Sequence, residues 1–155
     1  MDAAEAIARE QIRDVLARYN QAGDRGRLDE LALCFAADGA LSIKDEPPVR
    51  GREAIRERLG GAVRSLASTS ARRLLRHHVS STRIELVSPR EARVRSYYFV
   101  VTEIGPDHCG LYLDHFERDG DAWQIAHRRV TVDWKAPNSR FPDAEPSVGA
   151  AGSGA

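Results

Sequence analysis

The chain has 155 residues, with 23 Lys and Arg balanced by 23 Asp and Glu. That length gives one domain with a sizeable core. The balance of charge excludes the long-range field on which a general nucleic-acid or anionic-membrane binder depends. Two cysteines, Cys34 and Cys109, make neither a disulfide framework nor a metal-ligand cluster. No apolar run approaches membrane-spanning length, and the charged start MDAAEAIAREQ lacks a signal-peptide apolar segment. The expectation is a soluble cytoplasmic protein with neither a nucleic-acid nor a membrane partner.

In chain order, Ile12, Val15, Leu16 and Tyr19 recur at helical spacing and predict an amphipathic helix. Gly23 breaks the pattern, and Asp24-Arg25-Gly26 reads as a tight turn. Leu28, Leu31, Ala32 and Phe35 repeat the spacing, so a second helix is expected at once. Taken alone, Tyr19 reads as a core tyrosine whose hydroxyl needs a partner, and Asp24 as a turn or cap residue. Ala40–Ile43 alternates as a short strand, which Asp45-Glu46-Pro47-Pro48 ends. After Gly51 the stripe Ile55, Leu59, Ala62, Val63 and Leu66 predicts a third helix, kinked or shortened at Gly60-Gly61. Ser65–Ala71 reads as a loop.

The period then changes to two. Leu75–Leu86 is a strand rich in β-branched residues, and a Ser88–Glu91 turn leads into a second strand, Ala92–Thr102. Ile104–Cys109 reads as a loop. In Gly110–Arg118, Leu111, Leu113 and His115 alternate against Tyr112, Asp114 and Phe116. Asp119-Gly120-Asp121 marks a hairpin before a last strand, Trp123–Trp134. The domain is thus expected over residues 1–135, with an irregular tail at 136–155, where periodicity stops. Helices followed by an antiparallel meander make an α+β fold. A curved sheet wrapped on three helices leaves a cone open at one end. Apolar residues on both faces of the central strands suggest that one face meets helices and the other a second subunit, hence a homodimer.

Adjacent strand residues point to opposite faces, so only one of His77 and His78 can face a pocket. The same parity divides Tyr97 from Tyr98 and Arg128 from Arg129. His115 reads either as a core histidine or as a pocket residue.

Four stretches carry a resemblance: RYNQAGDRGRLDELALCFAADGAL, GREAIRERL, RHHVSSTRIEL and GDAWQIAHRRVTVDW. In that order, over residues 5–135, they resemble the SnoaL-like families of the NTF2-like superfamily, cone-shaped α+β barrels. In the enzymatic members the pocket lies inside the cone. The resemblance puts the family's tyrosine and aspartate on Tyr19 and Asp24, and its histidine on His77, with His78 as the alternative. Ser81 takes the place of the family's asparagine, and Arg128 rather than Arg129 that of a late arginine. Tyr98 and His115 join as further substrate contacts. This implies a lyase or isomerase, without cofactor or metal, acting on a small, largely apolar ring of polyketide, steroid or terpenoid type. His77 would be the base, Asp24 would fix its tautomer, and Tyr19 or Tyr98 would donate to a substrate oxygen. The superfamily also holds non-catalytic pocket proteins and dioxygenase small subunits, so fold alone does not choose. The ionisable set Tyr19–Asp24–His77 favours the enzyme.

Overall fold

A computed structural model describes residues 1–69 and 74–141 and, within them, the side chains outside 62–69. Helix α1 (Ala3–Asp24) starts at Asp2, whose carboxylate caps the backbone N–H of Glu5 at 2.8 Å. Its stripe of Ile12, Val15, Leu16 and Tyr19 is buried, as the spacing predicts. Helix α2 (Leu28–Ala32) is shorter than expected, because strand β1 (Phe35–Ile43) begins where helical spacing predicts a helix. Phe35 is fully buried, as it would be on either element, so spacing cannot separate the two. The carbonyl of Cys34 decides it by accepting from the N–H of Ile125, at 2.9 Å. A two-residue strand β2 (Val49–Arg50) follows, then α3 (Arg52–Thr69), which runs through Gly60-Gly61 without ending. The loop expected at Ser65–Ala71 is helical to Thr69, and the rest of it lies outside the described residues. Among the described residues no helix is long and apolar enough to cross a membrane.

The long strands are β3 (Leu75–Ser88), β4 (Glu91–Thr102), β5 (Gly105–Asp119) and β6 (Ala122–Val130), with a short β7 (Trp134–Lys135). They join one curved sheet in the order β2-β1-β6-β5-β4-β3, with β7 paired on β5. The pairs are antiparallel except β1 with β6, so the sheet is mixed rather than purely antiparallel. Two boundaries differ from expectation. The stretch Ile104–Cys109 belongs mostly to β5, since Gly105 at φ 94 already pairs with Thr102 and makes the turn tight. The last strand breaks after Val130, where Thr131 passes over Gly110. A Cβ there would stand 2.1 Å from the Thr131 carbonyl oxygen, so only glycine allows the crossing. The chain then resumes as β7 beside Cys109.

This topology divides the interior. α1, Phe35 and the inward residues Ile84, Val94, Phe116 and Ile125 fill one end of the cone. A smaller cluster of Leu75, Tyr98, Val100 and Tyr112 lies apart. Tyr19 of the first cluster meets Tyr112 of the second edge-on, with ring centroids 6.3 Å apart.

Candidate active site

Asp24 is the last residue of α1, and the last turn holds no basic residue. A carboxylate there faces the negative end of the helix dipole, which costs stability unless a partner offsets it. The partner is His77. Both Asp24 oxygens accept from the His77 backbone N–H, at 3.2 and 3.1 Å, and Oδ1 lies 2.6 Å from His77 Nδ1. The side chains are only 19% and 10% exposed for His77 and Asp24. With its Nδ1 proton held by the carboxylate, a neutral His77 presents Nε2 as a lone-pair acceptor. Strand parity turns His77 and Val79 inward, while His78 is exposed on the outer face beside Phe99.

His77 opens on a cavity of about 390 Å³, within the size range of small-molecule sites. Its walls are the rings of Tyr19, Tyr98 and Tyr112 with Ile43, Val130 and Val132. Lys44, Glu46, Arg58, Lys135 and Arg140 supply its charged lining. Burial raises the Tyr19 phenol above its ordinary value, against the opposing pull of Arg128, so it remains a protonated donor.

The other expected contacts divide. Tyr98 lines the cavity with its ring, stacked on Tyr112 at 4.6 Å, but its hydroxyl donates to the Thr131 carbonyl at 2.7 Å. Its donor is therefore committed to the fold. Arg128 faces inward, as Trp123 and Ile125 do, but is fully buried and is not part of the cavity wall. It makes two hydrogen bonds to Asp114, at 2.8 and 2.7 Å, and its guanidinium carbon lies 4.1 Å from the ring centroids of both Tyr19 and Tyr112. It lies behind two of the rings that line the cavity. Ser81 is displaced by a bulge between Ser80 and Arg83: at φ 50 it is exposed, and Thr82 takes the inward position, 3.1 Å from Ser96 Oγ. His115 lies on the outer face, because Tyr112, Asp114 and Phe116 occupy the inward parity of β5. Neither Ser81 nor His115 lines the cavity.

Sequence reasoning misses His108, which lines the same cavity and hydrogen-bonds through Nδ1 to Asp107 Oδ1 at 2.7 Å. A usable signal exists. Carrying the inward parity of Gly110, Tyr112 and Asp114 back by one step lands on His108.

Residues 4–129 match the profile of the SnoaL-like domain. The chain belongs to the SnoaL-like family. Among solved structures, a protein of unknown function from Mycobacterium tuberculosis is 28% identical, over 83% of this chain and 73% of that one, with a TM-score of 0.72. A putative scytalone dehydratase from Novosphingobium aromaticivorans is 25% identical, over 88% and 91%, with a TM-score of 0.74. The beta subunit of a putative aromatic-ring-hydroxylating dioxygenase from the same organism is 18% identical, over 85% and 93%, with a TM-score of 0.68. It shares the fold. No curated protein matches the sequence. SnoaL-like proteins have the NTF2-like cone fold, and this chain has it too.

The buried Arg128–Asp114 pair generates a stability prediction. Arg128→Leu leaves Asp114 buried and unpaired and should cost about 3–5 kcal/mol in urea unfolding. Adding Asp114→Leu should recover part of that loss, since no lone charge then remains. Equal stability of wild type and Arg128→Leu would contradict the reading.

Proposed function

We propose that this SnoaL-like protein is a lyase or isomerase that works without a cofactor, moving a proton on a small, largely apolar cyclic substrate. The observation that carries this is the His77 Nδ1 to Asp24 contact of 2.6 Å beside an aromatic cavity. A surface ion pair would be solvated, and a packing histidine would not need a carboxylate at the unfavourable end of a helix. His77 Nε2 takes a proton from a carbon next to a carbonyl. The electrons of that C–H bond form an enolate, and the Tyr19 hydroxyl donates to its oxygen. Asp24 stabilises the imidazolium. If a hydroxyl sits at the β carbon, its C–O bond breaks as the enolate collapses. The leaving oxygen takes a proton from the imidazolium, and water departs. If no leaving group is present, the proton returns to another carbon and the product is an isomer.

The rival reading, a structural subunit like the dioxygenase partner, asks for no ionisable groups at a cavity. The pair at His77 and Asp24 speaks against it. A homodimer forms part of the proposal. Tyr97, Phe99 and Trp134 are 51%, 36% and 47% exposed on the outer face. The registers Tyr97 with Leu111, Phe99 with Cys109 and Cys109 with Trp134 make them one band across three strands.

Mass spectrometry of ligand retained through purification names the substrate class to assay. On that substrate, His77→Ala should lower kcat roughly 10²–10⁴-fold with the fold intact, the range for losing a general base. Asp24→Asn should also slow turnover, and His78→Ala should leave it near wild type. Unchanged turnover in His77→Ala would end this reading. Light scattering should give twice the chain mass for wild type and a single chain for a Tyr97→Glu, Phe99→Glu variant; a monomeric wild type would remove the dimer.

A further inference from the structure

The second histidine–carboxylate pair of the cavity is as deliberately held as the first. β5 carries an extra residue against β4: Val100 faces His108 and Val101 faces Pro106, which leaves Asp107 unpaired between them. Such a bulge re-aims a side chain, and here it turns the Asp107 carboxylate beside the ring of its own neighbour. Asp107 has no solvent exposure. Besides His108, it accepts from Thr102 Oγ1 at 3.2 Å, Ser139 Oγ at 2.6 Å and the Arg140 backbone N–H at 2.8 Å. Burial alone would raise its pKa, but the hydrogen bonds from Arg140, Ser139 and His108 win and hold it below the ordinary carboxylate value.

An ionised Asp107 has no proton to give, so the Nδ1 of His108 must be the donor. Burial lowers the pKa of His108, against the opposing pull of Asp107, and keeps the ring neutral. A neutral ring with its proton on Nδ1 has a bare lone pair on Nε2. Among the described residues nothing hydrogen-bonds that atom. Tyr98 and Phe141 pack edge-on to the ring, at 5.8 and 4.8 Å between centroids, so aromatic neighbours join Asp107 in fixing its position.

We propose that His108 is a specificity-determining residue of this cavity, its Nε2 accepting a hydrogen bond from a hydroxyl on the ring of the bound ligand. The proposal rests on the reading of the cavity as a small-molecule site and adds a requirement to it. The ligand carries a donor towards His108 as well as an acidic carbon towards His77. Asp107 and Ser139 are positioning residues, acting through the tautomer of His108.

The test measures binding of tetralone, its ring-hydroxylated isomers and their methyl ethers to the full chain. Wild type should bind at least one hydroxylated isomer about tenfold or more tighter than tetralone and the matching ether, the effect of one hydrogen bond to an otherwise unpaired acceptor. His108→Phe keeps a ring between Tyr98 and Phe141 and should still bind tetralone, with the preference gone. Asp107→Asn offers a sharper result. Its amide oxygen can serve Thr102 and Arg140 while its N–H₂ points at His108 Nδ1, which moves the ring proton to Nε2. The preference should then invert towards the ether. A preference retained in His108→Phe, or absent in wild type that binds tetralone, overturns the proposal. If wild type binds none of these rings, the reading of the cavity itself fails, and the proposal fails with it.

Discussion

The cavity depends on a charge that the fold must keep out of water. Arg128 has no exposure: its Nε and Nη2 donate to Asp114 on the neighbouring strand, its guanidinium lies against the faces of Tyr19 and Tyr112, and its Nη1 has no hydrogen-bond partner among the described residues. Taking such a pair out of water costs several kcal/mol per ion, so its geometry has to be good or the site collapses. Bidentate hydrogen bonding and stacking supply that geometry. They fix the two tyrosine rings that line the cavity and so hold open a space that a wholly aliphatic core would fill.

On this floor the chain mounts two imidazoles in the same way. Each has Nδ1 on a carboxylate, at 2.6 Å for His77 and 2.7 Å for His108, and each lines the cavity. The carboxylates arrive differently. Asp24 comes from the end of a helix, across a gap of 53 residues, and Asp107 from a bulge beside the histidine itself. The first pair can remove a proton, and the second can read a hydroxyl. The charged residues lining the cavity and the contacts of Ser139 and Arg140 with Asp107 bring the start of the C-terminal segment into the same construction.

Much of this is legible in the amino-acid sequence. Helical spacing locates the stripe of α1, and a period of two locates β3 to β6, because burial imposes those periods on the sequence. Motif order places Asp24 and His77, and parity alone excludes one of each adjacent pair. The failures have separate, local causes. The bulge at Ser80–Arg83 removes Ser81 from the inward face and puts Thr82 there. The tight turn at Gly105 makes strand out of a stretch whose Gly, Pro and Asp read as loop, which hides His108. His115 is ambiguous in sequence because Leu111 and Leu113 share its face and are apolar. The structure shows that face turned outward, where a second subunit, not the core, would explain the leucines. For Arg128 the parity is right, but the guanidinium lies on Asp114 behind the cavity wall. Sequence gives no measure of whether an inward arginine meets a ligand or an aspartate on the next strand.

The proposed role of His77, removal of a proton from a carbon next to a carbonyl, can be measured without knowing the natural substrate. Tetralone incubated with the protein in deuterated buffer is followed by proton NMR at the carbon beside its carbonyl. Loss of that signal should be faster with wild type than with either His77→Ala or buffer. Exchange no faster than with His77→Ala, under conditions where tetralone is bound, would contradict that role.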